Sequence, residues 1–145
     1  MNRRTFLAKG CALCTAVTTG GAAALLQSCA PLPTFEAHIE RGIVRVPVSA
    51  LATTDRLLVH ADTYPYAIAL VKNGADGMLA LLLRCTHADT QLSADARGYS
   101  CRMHGSTFTS QGNVSRGPAA RDLERLRTEV RNEHISIYLP ERTRG

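Results

Sequence analysis

Two short stretches carry most of the chemistry open to this chain. Cys85-Thr86-His87 and Cys101-Arg102-Met103-His104-Gly105-Ser106 each set one thiol close to one imidazole, and 13 residues separate His87 from Cys101. Thiolate and neutral imidazole are both good ligands for borderline-soft metals. Two of each can close a tetrahedral Zn²⁺ site. They can also complete a [2Fe–2S] cluster, where each iron needs two protein ligands beside its two bridging sulfides. The order C-x-H, then C-x-x-H, favours the cluster. Two loops that can each give one residue to each iron make such a four-ligand arrangement geometrically simple.

The residues around these stretches extend the pattern. Gly105-Ser106 is followed by Phe108 and Gly112, then by Gly117-Pro118-Ala119 with Leu123. Upstream, Asp76-Gly77-Met78-Leu79-Ala80 reads as a turn and a strand leading into the first stretch. In order and spacing the chain resembles a Rieske [2Fe–2S] domain from about Gly42 to Leu139. The resemblance implies one [2Fe–2S] cluster of Rieske type, with Cys85 and Cys101 on the inner iron and His87 and His104 on the outer one. It implies a cofactor-facing hydroxyl on Ser106, which can donate to a bridging sulfide. It also implies that the Gly117-Pro118-Ala119 loop covers the third side of the cluster. A structural zinc site would account for neither the Gly-Ser continuation nor that loop.

Several positions depart from the family pattern. High-potential members carry an additional Cys in each ligand loop, joined as a disulfide; the matching positions here are Thr90 and Met103. Those members place a Tyr two residues after the Ser, where this chain has Phe108. Hydrogen-bond donors to cluster sulfur stabilise the reduced, more negative state. With the Ser kept but the Tyr and disulfide missing, the expected potential lies below that of quinol-oxidising members. The Gly usual two residues after the first His is Asp89, and the 13-residue spacer is slightly short. A trimmed first loop that exposes the cluster edge is the expectation.

Strands must position these loops. Ile43, Val46 and Val48 begin an alternating segment in which Pro47 suggests a sheet edge. Residues 56–60 and 66–71 read as two further strands, and Lys72-Asn73-Gly74-Ala75-Asp76-Gly77 as a hairpin turn. Met78–Arg84 is a strand whose end delivers Cys85, while Gly98–Ser100 enters Cys101 and Ser106–Phe108 leaves the second loop. Residues 125–130 and 135–139 form a closing hairpin, with Leu126, Thr128 and Val130 on one face of it and Ile135, Ile137 and Leu139 on one face of its partner. Residues 120–127 have the composition of a helix, and one turn is expected there before the strand. Tyr64 and Tyr66 are expected to pack at a strand start, and His38, His60 and His134 to be ordinary surface residues. Many short strands in one small unit mean an all-β domain. The resemblance implies the Rieske-type fold, stacked antiparallel sheets with a small cluster-binding subdomain.

The 145 residues leave room for one domain. Asn2-Arg3-Arg4-Thr5-Phe6-Leu7-Ala8-Lys9 resembles a twin-arginine export signal, and Leu26-Gln27-Ser28-Cys29 resembles a lipobox with an unusual Gln. The expectation is a signal segment over 1–28, lipid on Cys29, a tether over 29–41, the domain over 42–140 and a tail over 141–145. A retained uncleaved anchor is the alternative. Either way the domain would be exported and held at a membrane, on the periplasmic side. Removing Arg3, Arg4 and Lys9 from the 17 cations leaves 14 against 12 acids, so the charge falls from +5 to +2. That balance gives no reason to expect nucleic-acid binding. Cys11 and Cys14 fall inside the signal segment, which leaves only the two ligand thiols after Cys29.

These features point to a membrane-tethered one-electron transfer protein, with no substrate chemistry expected of it alone. Its partner would be a redox protein or a larger oxidoreductase complex. The alternative is the iron–sulfur subunit of an exported oxidoreductase or of a quinol:cytochrome c-type complex. A Rieske oxygenase needs a further iron domain; with six residues after Leu139 none is expected on this chain, so that reading would need a separate subunit to supply it. A redox-sensing or purely structural module is a further reading.

Overall fold

The computed structural model of the protein describes residues 31–74 and 77–140. The twin-arginine stretch, Cys29, Ala75, Asp76 and residues 141–145 lie outside the described residues. Twelve strands and one 3₁₀ turn, Val48–Leu51, make up the regular structure among the described residues. The strands are β1 (Thr34–Ala37), β2 (Ile39–Glu40), β3 (Ile43–Pro47), β4 (Arg56–Ala61), β5 (Ile68–Asn73) and β6 (Gly77–Leu82). They continue with β7 (Ser93–Ala94), β8 (Gly98–Ser100), β9 (Thr107–Thr109), β10 (Val114–Arg116), β11 (Arg125–Arg131) and β12 (His134–Tyr138).

Eight strands form one sheet in the order β1-β4-β5-β6-β11-β12-β3-β2, and four form a second in the order β10-β9-β8-β7. Strand β11 joins two halves of the larger sheet. Its Arg125 and Leu126 pair with Leu81 and Ala80 of β6, and the rest of it pairs with β12. The expected all-β fold of antiparallel sheets is observed, with one parallel pair added. Strand β1 runs beside β4 with Thr34 opposite Leu58. The sheet therefore starts inside the segment expected to be a tether. Pro47 ends β3 beyond the reach of short β2, which pairs only with Ile43 and Val44, so the missing N–H costs no pairing on that side.

Alternation along the strands builds two cores. In the first, Val44, Val46, Val59, Ile68, Leu70, Ala80, Leu82, Ile135 and Ile137 point inward and are almost fully buried. The intervening Ala69, Val71, Leu79, Leu81 and Leu83 face the second core with Tyr99, Phe108 and Leu123. Strands β5 and β6 are thus buried on both faces, which is why they read as near-continuous apolar runs. The period of two also places Cys85 on the Leu79-Leu81-Leu83 face, inside the second core.

One expectation fails. Residues 120–124 form no helical turn. Their backbone groups are committed elsewhere: Leu123 N–H donates to the Gly112 carbonyl at 2.8 Å, and the Glu124 carbonyl accepts from Leu82 N–H at 2.9 Å. The Asp122 carboxylate takes Val114 N–H at 2.8 Å and Asn113 Nδ2 at 2.9 Å. Cross-chain bonds outweigh helix propensity here.

Candidate metal centre

Strand β6 and strand β8 end at the two ligand loops, and the loops are backbone copies of each other. In the first, Cys85 N–H donates to the Thr90 carbonyl at 2.8 Å and Asp89 N–H to the Cys85 carbonyl at 3.0 Å. In the second, Cys101 N–H donates to the Ser106 carbonyl at 2.8 Å and Gly105 N–H to the Cys101 carbonyl at 2.9 Å. Each loop turns at a left-handed residue four positions after its Cys, Asp89 with φ 48° and Gly105 with φ 78°. Asp tolerates that region better than most residues with a Cβ, which accounts for an Asp where the family pattern has Gly. The 13-residue spacer is taken up by the β7–β8 hairpin, whose turn is held by Asp95 Oδ1 accepting from Arg97 N–H and Gly98 N–H.

The four sequence-derived ligands meet at this end of the molecule as two pairs. Cys85 is fully buried and Cys101 is 2% exposed, and the two thiols lie within hydrogen-bonding reach of each other. His87 and His104 are exposed, with ring centroids 5.0 Å apart and planes at 74°. This donor set fits a two-iron cluster that has thiolates inward and imidazoles at the surface.

Hydrogen bonding prepares Cys101 to be a thiolate. Thr90 Oγ1 lies 3.3 Å from its sulfur. That hydroxyl is the largest influence bringing its pKa down to about 6; burial opposes it, and the His104 and Met103 N–H groups and the Cys85 thiol add to the lowering. Donors directed at the anion stabilise it over the neutral thiol.

Residues outside the ligand motifs hold the loops. Ser106 is fully buried, and its Oγ accepts from Ala119 N–H at 3.0 Å. The hydroxyl proton of Ser106 is left available to another acceptor. Ala119 follows the cis Gly117–Pro118 bond, so the Pro-containing loop is tied to the second ligand loop by this contact. Thr86 Oγ1 donates to the Arg121 carbonyl at 2.7 Å, which binds the same segment to the first ligand loop. Tyr66 Oη donates to the Asp89 carbonyl at 2.8 Å, and Gln91 Oε1 accepts from Ala67 N–H at 2.8 Å. Sequence reading placed Tyr66 at a strand start and gave Thr86 and Gln91 no role; nothing in their local patterns points across to a partner. Phe108 is 2% exposed and packs in the second core, while Met103 is 71% exposed. The expected surface character of His38 holds, but its Nδ1 lies 2.7 Å from Asp62 Oδ2.

Comparison with known proteins agrees with this geometry. Residues 45–128 match the family model described as the Rieske [2Fe–2S] domain. The chain is 31% identical over 86 residues to a cytochrome b6-f complex iron-sulfur subunit of Synechococcus sp. (strain JA-3-3Ab), covering 58% of this chain and 50% of that protein. It is 24% identical over 109 residues to cytochrome b6-f complex iron-sulfur subunit 2 of Trichormus variabilis, covering 74% and 56%. The chain spans about half the length of these curated relatives. Among solved structures, the cyanobacterial plasma membrane Rieske protein PetC3 from Synechocystis PCC 6803 superposes with a TM-score of 0.51. It is 28% identical, and the match covers 63% of this chain and 93% of that one.

Proposed function

The chain belongs to the Rieske [2Fe–2S] domain family, and on that premise we propose that it is a one-electron transfer protein held at a membrane through lipid on Cys29. Its cofactor is one Rieske [2Fe–2S] cluster. Cys85 and Cys101 hold the inner iron in this proposal, and His87 and His104 the outer one. The observation that carries it is the division of the four donors, with buried sulfurs on one side and two exposed imidazoles 5.0 Å apart on the other. When bound, the cluster accepts and releases one electron at a time.

The chain's own residues then have distinct tasks. The buried Cys pair and the second core keep water from the sulfur side. Ala119 N–H fixes the Ser106 hydroxyl, leaving its proton available for donation to the cofactor. Thr86 and Tyr66 hold the first loop so that His87 stays beside His104. The exposed imidazole edge is the surface through which a redox partner gains electronic contact.

Absorption and EPR spectra of the purified protein test the reading. A Rieske-type spectrum in the wild type, lost in Cys85→Ser and in His104→Ala, is expected. Stoichiometric zinc without iron would overturn it.

Among the described residues no helix is long and apolar enough to cross a membrane. The motif ending at Cys29 supports an exported lipid anchor in place of a span. Cys29→Ser should move the protein from the membrane to the soluble fraction; retention in the membrane would favour an uncleaved anchor. A second reading, the iron–sulfur subunit of a larger oxidoreductase, is favoured by relatives described as cytochrome b6-f subunits. Purification from native membranes in mild detergent distinguishes the two, since a subunit brings a larger assembly with it in fixed ratio.

A further inference from the structure

The two ligand loops share a backbone pattern, so the residues five positions after each Cys are equivalent: Thr90 in the first loop and Ser106 in the second. Both carry hydroxyls. Ser106 lies in its own loop and is held by Ala119 N–H. Thr90 instead crosses to the other loop, with its Oγ1 3.3 Å from Cys101 Sγ. Either atom of that contact could donate while the Cys carries its proton. A Cys that ligates iron is a thiolate and has no proton, so in the loaded protein Thr90 must be the donor.

We propose that Thr90 is a positioning residue for electron transfer, whose hydroxyl donates to the Cys101 ligand sulfur and raises the potential of the centre. The inference rests on the cluster assignment above. Adding an electron increases the negative charge on the ligand sulfurs, and a donor already aimed at one of them stabilises that state more than the oxidised one. The position is one where the high-potential pattern places half of a disulfide, and Met103, the matching position in the second loop, is turned to solvent at 71% exposure. A single cross-loop O–H···S contact thus stands where a covalent link is missing. It also offsets part of the loss from Phe108, which has no hydroxyl to offer.

The test is a redox titration of the loaded wild type beside Thr90→Val and Thr90→Ser, each first checked for a Rieske EPR signal. Valine keeps the volume and removes the donor; serine keeps the donor and removes a methyl. The midpoint should fall in Thr90→Val and stay close to wild type in Thr90→Ser. Thr90→Ala provides the same donor-free measurement should the valine variant not take up iron. A donor-free variant with the wild-type midpoint overturns the proposal. So does a serine variant that falls as far as the donor-free one, because packing would then be the cause. A wild type without a Rieske signal is a different failure, that of the cluster assignment itself.

Discussion

Ser106 shows how a single buried hydroxyl can serve both stability and cofactor chemistry. Its Oγ is the acceptor for Ala119 N–H, and both groups are buried. Ser106→Ala leaves that N–H without a partner, which should destabilise the fold by about 1–3 kcal/mol, measured by denaturant unfolding. The same variant should lower the midpoint potential, because a donor toward the cofactor is lost. An unchanged midpoint would restrict Ser106 to holding the loop. At this scale the proposed ligands and Ser106 were legible in the sequence as candidates, since residue type and local spacing single them out. The Thr90–Cys101 contact was not. The two residues are 11 apart and meet only because the β7–β8 hairpin returns the chain on itself.

Turns and strand ends are where sequence reading and structure agree and part most clearly. Gly112 has φ +84°, and a Cβ there would lie 2.8 Å from Leu81 Cδ2 and 3.3 Å from Leu123 Cβ. The turn at Gly112 is therefore also a point where the β9–β10 connection presses on the second core. Gly112→Ala should cost about 1–3 kcal/mol from overpacking and a left-handed backbone, read as a lower unfolding midpoint in urea. The ion pair of His38 with Asp62 joins β2 to the end of β4, and Asp62 Oδ1 also accepts from Ile39 N–H at 2.9 Å. The Asp62 hydrogen bond and charge raise the His38 pKa above 6.5, and the His38 and Ile39 bonds lower that of Asp62 below 3.8. The stabilisation from His38 is full below 6.5 and is lost as pH rises through its folded pKa. That from Asp62 is present above 3.8 and is lost as pH falls through its folded value. Asp62→Asn should return the NMR-titrated His38 pKa toward 6.5. Its stability deficit should be largest between the two ranges. The pair is 24 residues apart, so local pattern gave no sign of it. The helix composition of 120–127 misled for the related reason that Gly112, Val114 and Leu82 claim its backbone and side-chain groups.

Across the whole molecule, the two cores divide support from function. The first is enclosed by the eight-stranded sheet and contains none of the four proposed ligands. The second includes Cys85 and Cys101 and packs against the four-stranded sheet. Metal removal should therefore be felt unequally. Chelation of the loaded protein should reduce hydrogen-exchange protection in β7–β10 and the ligand loops while β3, β5, β6 and β12 keep theirs. Uniform loss of protection would show that the two cores unfold as one unit.

The amino-acid sequence by itself determined the cofactor, the all-β class and most turns, and it supplied the four proposed donors. Each depends on residue type at short spacing, or on a period-two pattern that one strand displays alone. Only the tertiary structure decided the parallel entry of β1, the fate of residues 120–124, and the support given by Tyr66, Thr86 and Gln91. It also decided that Thr90 faces the sulfur of the opposite loop. Those outcomes depend on which distant backbone groups and side chains satisfy one another, and pairing of that kind exists only once the sheets have formed.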